Sequence, residues 1–514
     1  MVTKQGQASF VFIDNQKLTL EDVVQVARFH KKVELSDSTC EKIQRTRRIV
    51  EKFIEEERVV YGITTGLGDL CKVRIQKEHL NDLSKNIIMS HACGVGEPLC
   101  KEQVRAIMFA AVLNYSQGYS GLRLESVKTL VDMLNHGITP WTPSQGSVGY
   151  LTHMAHIALV MIGLGRAYYE GELMTGRQAM EKAGIPILSL EAKEGLSLVN
   201  GTVCMTGISA LTVYDAINLA KWADIAGAMS FESLKGSYCA YDERIQKVKP
   251  FKGQAKVAKN LLSLIKGSEI AEKFKHYRVQ DALSIRAIPQ VHGACRDKID
   301  HAREVVEIEL NSATDNPLIF EDENGGISIS SCNPHGESIA LTMDMLAIAG
   351  AELAGISERR TARLVTADVS GLPPFLVKNS GLHTGFMIPQ YAAASLVAEN
   401  KVYTHPISVD SLTMSGFQED HVSMGTPAAL KANKVLKNTQ KVIAIEMLTA
   451  AQALEFHHPL QLGEGTETIY QFIRRAIPSW DRDREFYIDL EKMISIVEKI
   501  DGIKQIEARI GNEL

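Results

Sequence analysis

The chain has 514 residues, 45% hydrophobic and 23% charged, which excludes a disordered or low-complexity protein and allows a large buried core. Lys+Arg 56 against Asp+Glu 61 leaves a net charge of -5, with no basic block to neutralise a phosphate backbone, so nucleic acid is not an expected partner. Aromatics at only 6%, beside recurrent Ala, Leu, Met and Glu, favour helices over sheets.

In chain order, the N-terminal stretch MVTKQGQASFVFIDNQ lacks the apolar region and cleavage site of a signal peptide, so a cytoplasmic protein is expected. It contains a short β-type segment, SFVFID, and is followed by helical patterns over Leu20 to Phe29 and Ser38 to Glu57. YGITTGLG, from Tyr61, is loop material whose glycines permit close backbone approach, and it either presents Tyr61 to a ligand or is an ordinary turn. It matches no phosphate-binding motif. HACGVG at His91 also sets polar groups beside glycine, and a helical pattern begins near Glu102.

The segment Tyr150 to Gly165 is apolar but shorter than the about 20 residues that a membrane span needs, so it reads as a buried helix and no membrane role is expected. Gly137 to Gly149, Gly184 to Ser189 and Gly195 to Thr202, the last including Asn200, read as connectors. Long helices are predicted over Val203 to Leu234, Lys298 to Asn311, Gly336 to Val365, Phe386 to Tyr403 and Ala428 to Glu455. Apolar faces on more than one side of such helices suggest a bundle shared between subunits. Arg286, flanked by Ile285 and Ile288, is either ion-paired or poised for a carboxylate. QEDHVSM places Glu419, Asp420 and His421 together, as an acid/base group or as a solvated helix start. The eight cysteines are scattered without a C-x-x-C pair and read as reduced thiols. No H-E-x-x-H occurs, and His153 and His156 read as packed or capping, so no metal is expected.

Taken in order, YGITTGLG at 61, SHACGVG at 90, GSVG at 146, EGLSLVNGT at 194, QDALSIRAIPQ at 280, SATDNPLIF at 312, ISERR at 356, LPPFLVKNSG at 372, HPISVDSL at 405 and QEDHVSM at 418 resemble the histidine and aromatic amino-acid ammonia-lyase family, closest to its histidine branch. The resemblance implies an all-α ammonia-lyase/fumarase-like fold with a long central helix bundle and a smaller N-terminal region. It also implies a lyase domain over 1–220 carrying the Tyr61 loop, a helical bundle and C-terminal region over 221–514, and a homotetramer with shared active sites. The family eliminates ammonia with a methylidene-imidazolone made from an internal Ala-Ser-Gly triad that normally follows GSVG. Here Gly149 is followed at once by Tyr150, Leu151, Thr152 and His153.

The missing triad carries the expectation of a cofactor-free enzyme whose substrate already holds its leaving group. The expected activity is ergothionase-like: elimination of trimethylamine from ergothioneine, a small-molecule betaine, to give thiourocanate. In that scheme Tyr61 is the Cβ base, Glu419 and His91 address the ring, and Arg286 with Asn200 holds the carboxylate. Gln280 matches a family glutamine near the substrate. Lys378, where the histidine branch usually has Glu, is expected to contact sulfur, and His383 is a further departure from the family pattern. The alternatives are an ordinary histidine or aromatic ammonia-lyase using the methylidene-imidazolone, or an inactive scaffold or binding relative.

Overall fold

The computed structural model describes residues 10–514, and the chain is mostly helical, at 61%. The strand expected from SFVFID is present as Phe10–Ile13, running parallel to Lys32–Leu35; Ser9 lies outside the described residues. Between them runs the helix Leu20–Ala27, and the helix Asp37–Glu55 follows, opened by Ser36, whose hydroxyl accepts from the Thr39 amide at 3.1 Å. The helix Lys101–Ser116 is buried on every side from Gln103 onward, as an apolar core helix must be. Its one buried cation, Arg105, donates to the carbonyls of Val26 at 2.7 Å, Ala27 at 3.3 Å and Leu134 at 3.0 Å, near the ends of Leu20–Ala27 and Leu124–His136. A guanidinium therefore adds hydrogen bonds to carbonyls at the C-terminal ends of two helices, and burial pushes its pKa down to about 10.

The long helices are Val203–Ser233, Ile288–Leu310, Glu337–Val365 and Gly425–Leu454, of 31, 23, 29 and 30 residues. The second begins well before the expected Lys298, with Pro289 in its first turn, where a missing N–H costs nothing. Gly195 to Thr202 was expected to be a connector, but Glu194–Val199 is helical. Gly195 serves packing there: a Cβ on it would lie 2.2 Å from the Ser84 carbonyl oxygen of the helix Leu80–His91. The apolar stretch 150–165 yields only the helix Thr152–Met161. Two other stretches, Glu194–Ser233 and Glu337–Val365, have the length and apolarity to cross a membrane, but their apolar windows are 100% and 67% buried, as in core helices.

Two compact units are formed. The first runs to Tyr214 and adds Arg303–Asp344 and Pro406–Leu430; the second comprises Asp215–Ala302, Met345–His405 and Lys431–Leu514. Small sheets decorate the first unit: Arg166–Tyr169 pairs antiparallel with both Thr139–Pro140 and Glu172–Thr175, Val95–Pro98 pairs with Pro143–Gln145, and Leu318–Phe320 with Ile327–Ile329.

In the second unit a buried polar network joins the long helices. Asp224 accepts from Arg296 at 2.6 Å, from Asn260 at 2.9 Å and from His292 Nδ1 at 2.8 Å. Arg360 donates to both oxygens of Glu446, at 2.5 and 2.9 Å, and faces His292 Nε2 at 3.3 Å. Because an arginine only donates, His292 carries its proton on Nδ1 and accepts at Nε2. Burial, with the Arg360 charge, holds its pKa below the usual imidazole range despite the Asp224 hydrogen bond.

Candidate active site

Four glycine- or histidine-bearing loops of the first unit build the site. In the first, two threonines lace the chain: Thr64 Oγ1 donates to the Arg58 carbonyl at 2.7 Å and accepts from the Val60 amide at 2.9 Å. Thr65 Oγ1 accepts from the Gly62 amide at 3.2 Å and donates to the Gly66 carbonyl at 3.0 Å. Ile63 anchors this loop in a cluster with Ile49, Val50, Phe53 and Ile319. The half-buried Tyr61 is held at its oxygen, which accepts from the Gly68 amide at 3.2 Å. Gly68 has φ +54 and leaves no room for a side chain, since a Cβ would sit 2.6 Å from Ser415 Oγ. This close approach presses the Tyr61 loop onto the loop that carries Glu419.

The second loop is the turn 146–151. Ser147 Oγ accepts from the Gly149 amide at 3.2 Å and donates to the Tyr150 carbonyl at 3.1 Å. Leu151 takes φ +71, a conformation that a branched side chain adopts only under strain, and the helix Thr152–Met161 starts directly after it. Burial, then the charge of the neighbouring Glu419 carboxylate and its hydrogen-bonding pull on the phenol, raise the Tyr150 pKa, with Cys332 and Tyr61 adding to the effect. Tyr150 is therefore a neutral phenol beside that carboxylate.

Glu419 itself lies on a tight loop rather than at a solvated helix start. The Met414 amide donates to the Glu419 carbonyl at 2.8 Å, and Ser415 and Phe417 both take positive φ. Two residues on, His421 Nδ1 faces His335 Nε2 at 3.2 Å. The loop is tied to the Tyr150 turn where the Met424 amide donates to the Val148 carbonyl at 2.8 Å and Thr426 Oγ1 to the Gly149 carbonyl at 3.1 Å.

Two further expected residues lie in this unit. Asn200 is buried, and its amide donates to Asp315 Oδ1 at 3.2 Å and to the Asn316 carbonyl at 2.9 Å. Asp315 is also ion-paired at 3.4 Å with Lys193, fully buried, which fixes the loop end on which Asn200 sits. His91 closes the helix Leu80–His91, its Nδ1 3.0 Å from Ser90 Oγ. The remaining candidates belong to the second unit. Arg286 ends the short helix Leu283–Arg286, half-buried, with Nε on the Asp281 carbonyl at 3.1 Å. Gln280 and Lys378 are exposed, and His383 Nδ1 accepts from the Asp483 amide at 3.4 Å.

Tyr61, Tyr150 and Glu419 are thus brought together, and Tyr150 is the member that the motifs did not single out. The signal was its position immediately after GSVG, where the family resemblance sets it in place of an Asp. His153 is packed as expected, burial pushing its pKa down to about 4, and His156 Nε2 accepts from the Gly94 amide at 3.1 Å.

An aromatic amino acid lyase family model matches residues 18–475. A histidine ammonia-lyase of Caldanaerobacter subterraneus subsp. tengcongensis is 50% identical over 95% of this chain and 96% of its own. Among solved structures, the histidine ammonia-lyase of Trypanosoma cruzi is 38% identical with a TM-score of 0.91, covering 97% of this chain and 95% of that one. The ergothioneine-degrading ergothionase of Treponema denticola is 31% identical with a TM-score of 0.89, covering 95% and 98%.

These relatives confirm the all-α ammonia-lyase fold and overturn the expected ergothionase activity: high identity lies with histidine ammonia-lyases, and ergothionase is a more distant structural neighbour. The betaine substrate goes with it, as does the sulfur contact expected of Lys378. The expectation of catalysis without a cofactor is overturned by the same relatives, since histidine ammonia-lyases normally use the methylidene-imidazolone from an Ala-Ser-Gly triad. The turn after Gly149 does not fit that group. No Ala-Ser-Gly occurs in the sequence, and a Cβ on Gly149 would already sit 2.8 Å from Ser423 Oγ and 3.2 Å from Met205 Cε.

Proposed function

Because the chain belongs to the aromatic amino acid lyase family, we propose that this carbon–nitrogen lyase acts on L-histidine, releasing ammonia and imidazolylacrylate. The observation that carries this reading is the full-length 50% identity to a histidine ammonia-lyase. The cluster of the first unit supports it, because an elimination needs a base at Cβ and a polar group for the ring.

In this reading Tyr61 removes the Cβ proton, its oxygen positioned by the Gly68 amide. Glu419 binds the imidazole ring, and Tyr150 orients it by donating to its carboxylate. His91 adds a second ring contact. Asn200 is a further polar contact of the first unit, and, in the active site shared between subunits that the resemblance implies, Arg286 of a neighbouring subunit takes the substrate carboxylate, a task for which a planar guanidinium is suited, with Gln280 and His383 beside it.

The test is incubation with L-histidine, and separately with L-phenylalanine and L-tyrosine, following ammonia and the conjugated acid. Imidazolylacrylate from histidine is the expected result; turnover of the aromatic amino acids alone would overturn the substrate, and no elimination from any would overturn the reading. Tyr61→Phe should lower kcat by about 10²–10⁴-fold with an unchanged circular dichroism spectrum, the usual loss when a general base is removed.

A further inference from the structure

The geometry points to a divalent transition-metal site formed by His335, Glu337 and His421, at the edge of the Glu419 loop. Among the described residues this is the group of three whose ligand atoms come within 4.8 Å of one another. The two imidazoles stack at 22°, and their facing nitrogens, His335 Nε2 and His421 Nδ1, are 3.2 Å apart. Two nitrogens bound at the usual zinc distance to one tetrahedral ion stand about 3.3 Å apart, so the pair already has the required spacing. Each ring can carry its proton on the nitrogen away from the contact, which leaves both facing nitrogens as lone-pair donors.

The third donor is a carboxylate with an unmet need. Glu337 Oε2 is buried and makes no hydrogen bond, a costly condition for an acceptor that a cation would relieve. Both ligand-bearing segments are held by their backbones. The His335 amide donates to the Cys332 carbonyl at 3.0 Å, the Ser331 amide to Asn316 Oδ1 at 2.7 Å, and the Val422 amide to Ser411 Oγ at 2.9 Å. Gly336, between the two donors of its segment, admits no side chain, because a Cβ would sit 2.1 Å from Met205 Sδ.

Two imidazoles and one carboxylate suit Zn²⁺, Co²⁺ or Ni²⁺ rather than Mg²⁺ or Ca²⁺, which favour all-oxygen shells, and three protein ligands leave a position open. A bound ion ties His421, two residues from Glu419, to the start of the helix Glu337–Val365 and so fixes the Glu419 loop. The inference is independent of which amino acid the enzyme takes.

The test is a Co²⁺ titration of the full-length chain, purified without a histidine tag and stripped by a chelator. One equivalent per chain with the visible absorption of a tetrahedral nitrogen–oxygen site is expected. His421→Ala, at an exposed position, and Glu337→Gln should each weaken binding at least tenfold, whereas His276→Ala, an exposed histidine of the second unit, should leave it unchanged. Absence of stoichiometric binding, or equal affinity in the native chain and both ligand variants, would overturn the site.

Discussion

Tyr150 and Tyr61 illustrate how two phenols in one cluster are set to different tasks. Tyr61 receives a backbone N–H at its oxygen, while Tyr150, beside the Glu419 carboxylate, is held as a neutral phenol. If Tyr61 is the base of the proposed elimination, the two phenols separate their roles by environment. Tyr150→Phe removes only the donor, so the fold should persist and kcat/KM for histidine should fall about 10–100-fold, the worth of one hydrogen bond to a charged group. Steady-state kinetics of the variant check this; unchanged kinetics would remove Tyr150 from the site. The residues themselves were legible unevenly. Tyr61, Asn200, Arg286 and Glu419 stood out through family motifs, whereas His335 and Glu337 sit in CNPHGES, whose spacing has no helical or metal signature until folding brings His421 beside it.

Among the elements, the long helices were readable because their apolar residues recur with helical period over many turns. The short strands were not: Thr139–Pro140 and Pro143–Gln145 carry too few residues to show any period, and their pairing partners are fixed by tertiary contact. Gly195 misled because a glycine that permits close helix packing is identical in sequence to one that breaks a helix. The buried Arg360–Glu446 pair binds the helix Glu337–Val365 to Gly425–Leu454. Arg360→Met leaves a buried carboxylate without its cation and should destabilise the enzyme by about 3–5 kcal/mol, whereas Arg360→Met with Glu446→Leu should recover much of the loss. Denaturant melts of the two variants measure the difference; equal melts would mean that the pair carries no coupling. His292 in the same network gives the pH dependence its sign. Its folded pKa is lowered by burial, so the unfolded chain binds more protons below the ordinary imidazole pKa of about 6.5. The contribution of this residue is present above that pH and lost as pH falls through the folded value. A His292→Asn variant should show a shallower loss of Tm on acidification over this range; parallel profiles would assign the acid sensitivity elsewhere.

At the scale of the whole molecule, exposed apolar side chains on long helices look for partners. Leu341 and Met345 on Glu337–Val365, and Ile388, Tyr391 and Val402 on Met387–Tyr403, are exposed in the single chain. Such faces favour the homotetramer that the family resemblance implies. Sedimentation equilibrium should give four chains per particle, and Tyr391→Glu with Val402→Glu should shift it to smaller species; a native monomer would reject the assembly.

The first unit is assembled from three separate stretches, the last ending at Leu430. During synthesis at about 5–20 residues per second, Tyr61 emerges from the ribosome roughly 20 to 70 seconds before Glu419. Until then the Tyr61 loop lacks the surface against which Gly68 packs, and Tyr150 has no carboxylate beside it. A nascent chain interrupted before residue 419 therefore lacks the Tyr61–Tyr150–Glu419 cluster however well its early helices have formed, so on the proposed reading elimination should appear only once synthesis has passed that residue.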